Sequence, residues 1–358
     1  MTKLFSSIKI RNLEIKNRLW VSPMCMYSCE GQDGIVGQWH LVHLGSRAMG
    51  GAGMVIAEAS AVSSEGRISP WCPGLYDDNQ IAPWKVITDF IRGQGATSGI
   101  QLAHAGRKGS THRPTSGSGS VATSEGGWGT YSATSEAFEG LAAPRMLATS
   151  EMPRIVADFA SAALRAQKAG FDSIEIHAAH GYLLHQFLSP ISNKRDDAYG
   201  GPLENRARLL LEIVTEVRKA VGEKMPIFIR FSSTDYVEGG WDQDQTNQVA
   251  NWCRELGADL FDLSSGGLIT GVKIPTGPGY QVEFAKSAKR ATGSDVAAVG
   301  QITNAAQAEQ VLSEGLVDVV LVGREFLRDP YFGLRAAAEL SAEIEWPHQY
   351  ERGRWPNA

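Results

Sequence analysis

Residues 173–182, Ser-Ile-Glu-Ile-His-Ala-Ala-His-Gly-Tyr, gather more potential chemistry than any other stretch of the chain. An apolar run ends in two imidazoles, His177 and His180, with a phenol, Tyr182, two residues further on. Imidazole can donate, accept or titrate near neutral pH. Two of them just beyond a buried strand could grip one oxygen atom, and Tyr182 could supply a proton. The structural alternative is a pair of satisfied core histidines capping a strand. Zinc is disfavoured, because no third ligand lies nearby and His-Glu-x-x-His is absent, so no metal is expected.

Other reactive or polar residues also follow short apolar runs. Gly300 and the pair Gly323-Arg324 have the make-up of a barrel phosphate site. Small residues admit backbone N–H groups, and Arg adds a bidentate charge. Alternatively, Gly323-Arg324 turns the chain and pairs with an acid. Arg230 ends a buried strand and needs an anionic or electron-rich partner there. Gln101 offers both donor and acceptor. Together these two suit a flat heterocycle such as flavin. Arg230 could instead pair with Glu175 or another barrel carboxylate. Cys25, between Met24 and Met26, is open to three readings: thiolate nucleophile, metal ligand or apolar filler. Cys25 and Cys29 lack the second pair that zinc would want. Lys108, in a Gly-bounded loop, reads as an anion contact or as solvated surface.

The elements that must position these residues alternate strand and helix. Strands are expected at 19–23, 54–60, 97–102, 173–177, 226–231, 260–264, 296–299 and 317–322. The matching helices are expected at 39–50, 81–95, 155–169, 204–221, 244–257, 282–292, 305–314 and 330–340. Continuous apolar, β-branched strands imply burial on both faces, as in a parallel sheet covered by helices. Eight such units close into an α/β fold of the single (β/α)₈, TIM-barrel class. An open doubly wound sheet would want Gly-x-Gly-x-x-Gly after the first strand, where Pro23-Met-Cys-Met26 stands instead. In a barrel the chemistry lies at the carboxyl ends of the strands. Nearly every expected strand here ends in a polar or Gly group, which packing alone does not require.

Residues 1–358 read as one domain with three additions. Residues 1–18 form an N-terminal hairpin cap turning at Arg11-Asn12. Residues 109–152, rich in Ser, Thr and Gly, form an ordered excursion over the barrel mouth with a flexible tip at 115–120. Residues 341–358 form a C-terminal tail whose two Trp and one Tyr suggest that it docks on something. The net charge of −5 provides no basic face for nucleic acid. No apolar run approaches the roughly 18 residues of a membrane span. The N-terminus lacks the apolar segment of a signal peptide. Four cysteines in 358 residues make no disulfide framework, so reduced thiols in the cytoplasm are the expectation.

Taken together, several motifs resemble the Old Yellow Enzyme family. They are Ser22-Pro-Met-Cys-Met-Tyr27, Gln101-Leu-Ala-His-Ala-Gly-Arg-Lys108, His177-Ala-Ala-His-Gly-Tyr182, Ser192-Asn-Lys-Arg-x-Asp-x-Tyr-Gly-Gly201 and Gly323-Arg324. Cys25 and the terminal Gln349-Tyr-Glu-Arg-Gly353 make the chain similar to the thermophilic-like bacterial branch of FMN ene-reductases. The resemblance implies FMN at the barrel mouth, on Ser22, Pro23, Met24, Cys25, Ala59, Gln101, Arg230, Gly323 and Arg324. It implies that Cys25 tunes the flavin and that His177 and His180 bind a substrate carbonyl. Tyr27 would contact substrate and Tyr182 would donate the proton. NAD(P)H would supply hydride for reduction of α,β-unsaturated carbonyl compounds, with nitro compounds as a second acceptor class. Arg352 matches an arginine that reaches a neighbouring subunit's site, which implies a homodimer or homotetramer. Residues 109–152 exceed the shortest members in length, which leaves the loop contacts and substrate range open. The rival is a flavin-free barrel lyase or aldolase acting on a phosphorylated substrate. It would want a Schiff-base Lys at a strand end, and none ends one. A non-catalytic flavin-binding protein is a third reading.

Overall fold

The computed structural model describes residues 2–114 and 116–355. It opens with an antiparallel hairpin, β1 (Ile8–Ile10) and β2 (Leu13–Ile15). Arg11 makes the turn at φ 50°. The first three barrel strands are β3 (Leu19–Val21), β4 (Met54–Ala61) and β5 (Thr97–Ala103). After β5 the chain leaves the barrel through the two-residue strands β6 (Tyr131–Ser132) and β7 (Arg145–Met146), then re-enters it. The remaining barrel strands are β8 (Ser173–Ala178), β9 (Ile227–Ser232), β10 (Leu260–Ser264), β11 (Asp295–Ala298) and β12 (Val319–Val322). All eight pair in parallel, and β12 returns to β3 to close the ring. The expected (β/α)₈ barrel with its N-terminal hairpin is therefore observed.

The helices are α1 (Gln38–Met49), α2 (Ile81–Gly93), α3 (Met152–Lys168), α4 (Leu183–Leu188), α5 (Leu203–Val221), α6 (Gln243–Glu255), α7 (Val282–Thr292), α8 (Ala305–Ser313), α9 (Arg324–Arg328) and α10 (Phe332–Glu339). α3 shows why such segments form. Pro153 stands in its first turn, where a missing N–H costs nothing. Ile155, Val156, Phe159, Ala162, Ala163 and Ala166 recur on one face and are buried. Arg165 and Lys168 occupy the last turn, and Gly170 leaves it at φ 85°. α6 and α8 are capped by Asp242 and Asn304, whose side chains accept from Gln245 N–H and Gln307 N–H. Two short helices, α4 and α9, were not expected. Leu183, Leu184, Phe187 and Leu188 of α4 are all buried, as is Phe326 of α9, so each turns inward just after a strand end.

Inside the bore lies a core of its own. Trp20, Ile56, Phe228, Leu260, Val319 and Leu321 pack with Ile8, Ile10 and Ile15 of the hairpin. Trp20 stacks on Phe228 with ring centroids 5.7 Å apart. Arg11 reaches Asp259 and Glu223, which precede β10 and β9, so the hairpin plugs the amino end. The carboxyl end stays polar. Register partners on parallel strands share a face, and Gln101 faces Glu175, His177 faces Arg230, and Arg230 faces Asp262.

The excursion is anchored by the residues of the 192–201 motif. Arg195 donates to Ala133 O at 3.1 Å and Leu147 O at 2.7 Å. Asn193 Nδ2 donates to Phe187 O and Tyr199 O, each at 2.7 Å. The expected tip at 115–120 begins at Thr115, which lies outside the described residues. Among the described residues, no helix is long and apolar enough to cross a membrane.

Candidate active site

The mouth of the barrel is organised by the turn after β8. His180 sits at φ 56°, in the left-handed region, and Gly181 follows at φ 72°. This strained turn meets the loop after β10 backbone to backbone. A Cβ on Gly181 would lie 2.3 Å from Gly267 O, so only glycine fits. Lys108 clamps the junction, its Nζ donating to His180 O at 2.9 Å and Gly267 O at 3.0 Å. The same ammonium lies 5.1 Å from the Tyr182 ring centroid. Lys108 is therefore neither an anion contact nor solvated surface; it is a strut.

The clamp brings His177, His180 and Tyr182 together. The His177 ring lies 5.2 Å from that of His180 and 5.0 Å from that of Tyr182, edge to face in both cases. Burial, reinforced by the Arg230 charge, holds both imidazoles well below their ordinary range, so both are neutral. Their tautomers follow from their partners. Ala179 N–H donates to His177 Nδ1 at 3.3 Å, which places the His177 proton on Nε2. His180 Nε2 lies 2.7 Å from Ser264 Oγ. The Ser264 hydroxyl can donate either to Gln281 Oε1 at 3.4 Å or to His180 Nε2 at 2.7 Å; Gln281 Oε1 already accepts from Ser265 at 2.6 Å, so we assign the Ser264 proton to the shorter contact, His180 Nε2. The His180 proton then sits on Nδ1. Among the described residues, neither His177 Nε2 nor His180 Nδ1 has a hydrogen-bond partner. Two neutral N–H donors are thus left for a ligand. Burial holds the Tyr182 phenol well above its usual value, so it keeps its proton.

A buried polar floor lies beneath. Gln101 Nε2 donates to Glu175 Oε1 at 2.6 Å. Arg230 Nε lies 3.0 Å from Asp262 Oδ2, and its Nη1 donates to Ser22 Oγ at 3.3 Å. The carboxylate beside Arg230 is thus Asp262, while Glu175 serves Gln101. Sequence reasoning missed Asp262. Its signal was an acid at an inward position within the apolar run 260–263.

The segment after β3 is tied down by Glu58, which accepts from Met26 N–H at 2.8 Å and lies 3.5 Å from His40 Nε2. Cys25 is half-buried. Burial and the Glu58 charge push its thiol up to about 12, against a weaker pull from the Ala59 backbone N–H. It is a neutral thiol, not a poised nucleophile. Tyr27, at φ 55°, adjoins Cys25, and its phenol is likewise raised by burial.

Met24, Arg230, Gly300, Gly323 and Arg324 line one cavity of 520 Å³. A larger groove of 860 Å³ lies outside the barrel, between α3 and α5, far from these polar groups. The tail does not enter its own mouth. It runs past α10 into a 3₁₀ turn, His348–Gly353, where Tyr350 packs on Tyr331 with ring centroids 5.8 Å apart. Arg352 there is exposed. Among the described residues, no cluster of His, Cys, Asp and Glu could hold a metal.

This fold and mouth define a (β/α)₈ barrel with a polar cavity at the carboxyl ends of its strands. The chain belongs to the NADH:flavin oxidoreductase / NADH oxidase family, which it matches over residues 3–343. It is 45% identical over 352 residues to an NADPH dehydrogenase of Listeria monocytogenes serotype 4b (strain CLIP80459), covering 98% of this chain and 99% of the relative. It is 44% identical over 352 residues to an NADPH dehydrogenase of Bacillus subtilis (strain 168), with the same coverage. Among solved structures it is similar to morphinone reductase, with a TM-score of 0.79 and 28% identity, over 97% of this chain and 91% of that one. The Old Yellow Enzyme resemblance is borne out, and the protein is a flavin oxidoreductase that uses FMN with NAD(P)H as hydride donor. The flavin-free lyase reading falls.

Proposed function

We propose that this oxidoreductase is an ene-reductase, reducing the activated C=C bond of α,β-unsaturated carbonyl compounds, with nitro compounds as a second acceptor class. The observation that carries the reading is the convergence of His177, His180 and Tyr182, with the His177 ring 5.2 Å from that of His180 and 5.0 Å from that of Tyr182.

The residues fit FMN. Gly300 marks a tight cradle, since a Cβ there would lie 2.9 Å from the Tyr280 ring. Arg230 Nε is buried without an aligned acceptor, as a cofactor edge would require. In this assignment Gly300, Gly323 and Arg324 hold the phosphate. Ser22, Gln101 and Arg230 meet the pyrimidine edge, and Pro23, Met24, Cys25 and Ala59 meet the ring. Bound FMN supplies the hydride, drawn from NAD(P)H and passed to the substrate's β-carbon.

The chain's own residues do the rest. His177 and His180 donate to the substrate oxygen and favour the negative charge that grows there, as oxyanion donors do. Because both are neutral, they stabilise that charge without giving up a proton. Tyr182 holds its proton until the α-carbon needs one. Tyr27 borders the substrate. Arg352, exposed on a tail that lies away from its own mouth, supports a homodimer or a pair of dimers in which it completes the neighbour's pocket. The four free thiols favour a reducing, cytoplasmic compartment. The test is anaerobic incubation of holoprotein with NADPH and 2-cyclohexen-1-one. Stoichiometric cyclohexanone is expected; bound flavin reduced by NADPH with the enone left unconsumed and no ketone formed would refute the reading.

A further inference from the structure

Under the mouth, four adjoining strands contribute a cluster whose carboxyls the reaction described above does not use. Glu175 on β8 takes a hydrogen bond from Gln101 on β5, and Asp262 on β10 lies against Arg230 on β9. The Asp262 charge acts on Glu175, and the Arg230 charge acts on both carboxyls. Glu175 Oε2 and both Asp262 oxygens are buried and have no hydrogen-bond partner among the described residues. Arg230 Nε is close to Asp262 but not aligned to donate. Glu175 is 1% exposed and Asp262 0%.

Two carboxyls buried this deeply with a single guanidinium to balance them cannot both ionise, so they hold one proton between them. Burial and the Asp262 charge push Glu175 up to about 8, and burial pushes Asp262 up to about 6. Near pH 7 the pair therefore holds one proton and one negative charge, matched by Arg230. Few other groups face it. His177, further up β8, is neutral. Glu58 of β4 is turned to Met26 N–H and His40. β3 offers Ser22, while β11 and β12 line the bore with Ala297 and Leu321.

We propose that Glu175 and Asp262 are a proton-holding pair for cofactor reduction, carrying one proton while the flavin is oxidised and binding a second, at Asp262, when two electrons arrive. The proposal rests on the assignment of Arg230 to the flavin's pyrimidine edge. Hydride from NAD(P)H brings two electrons and one proton to FMN, leaves one negative charge on it, and NAD(P)⁺ departs. One solvent proton enters at Asp262 and cancels the charge of the pair. Arg230, released from the carboxyls, then balances the charge on the cofactor. The net charge of this buried site is zero before and after, so no unpaired charge is left in a medium that would penalise it.

The experiment is potentiometry of the FMN holoprotein between pH 6 and 8, with infrared difference spectra of reduction. Each proton taken up with two electrons moves the potential by about 30 mV per pH unit. Wild type should show the two-proton slope, about 59 mV per pH unit. Asp262→Asn should halve it and lose the protonated-carboxyl band that wild type gains on reduction. A one-proton slope in wild type would overturn the proposal. A two-proton slope kept in Asp262→Asn would put the second proton on the cofactor and overturn it equally. Should that variant fail to hold FMN, isotope-labelled aspartate in wild type decides: the gained band must move with the label, and an unmoved band refutes Asp262. Failure of the underlying assignment looks different, because Arg230→Lys would then bind FMN and set its potential as wild type does.

Discussion

Lys108→Met removes the strut that holds His180 in its strained conformation. The ammonium donates to two carbonyls, at 2.9 and 3.0 Å, and lies 5.1 Å from the Tyr182 ring and 4.7 Å from that of Phe138. Leaving two half-buried carbonyls unpaired costs about 1 kcal/mol each at the low end of the range. Each ring contact adds about 0.5 kcal/mol. The local loss is thus about 3 kcal/mol, enough to release the His180 turn. A free turn no longer presents His180 Nδ1, so ligand affinity should fall by about 10²-fold at most, the equivalent of that energy. Phenol titration of the holoprotein, read by the flavin charge-transfer band, measures this directly, with enone kcat/KM alongside. Lys108→Met with wild-type phenol affinity and wild-type kcat/KM would refute the strut.

Tyr182→Phe should keep phenol binding while slowing the oxidative half-reaction with enone by about 10²-fold or more, the range for a lost general acid; an unchanged stopped-flow rate would remove Tyr182 from that role. In wild type the imidazoles are neutral and the Tyr182 phenol protonated throughout. The pH profile of phenol affinity should therefore show no acid limb near 6.5; its alkaline decline should begin near pH 8, where Lys108, lowered by burial, loses its charge. A decline centred on pH 6.5 would contradict the neutral pair. Cys25→Ala should bind FMN and remain active with a shifted flavin potential, since a thiol held near 12 does not act as a thiolate; total inactivity with FMN bound would make Cys25 a nucleophile. Deleting residues 349–358 should lower the mass found by light scattering and raise KM for enones, and no change in either would show that the tail does neither job.

The barrel was legible because its strands are continuous apolar runs buried on both faces, because there are eight of them, and because Pro23-Met-Cys-Met26 stands where an open doubly wound sheet would want its glycines. The His-x-x-His-x-Tyr constellation was legible because polar groups at strand ends are not required by packing. Asp262 was not, because one acid within Leu260-Phe-Asp-Leu263 reads as an interruption until register sets it beside Arg230. The role of Lys108 needs the left-handed backbone of His180, which no residue type announces. α4 and α9 span six and five residues, too short for a helical period to declare itself.

The central claim is that His177 and His180 together hold the substrate oxygen. It is tested most directly by the double variant His177→Ala with His180→Ala, loaded with FMN and assayed with cyclohexenone. The account predicts that FMN stays bound, that the phenol charge-transfer band disappears, and that kcat/KM falls by about 10²-fold or more, the scale for removing oxyanion donors. A double variant that binds FMN and reduces cyclohexenone with wild-type kcat/KM would contradict it.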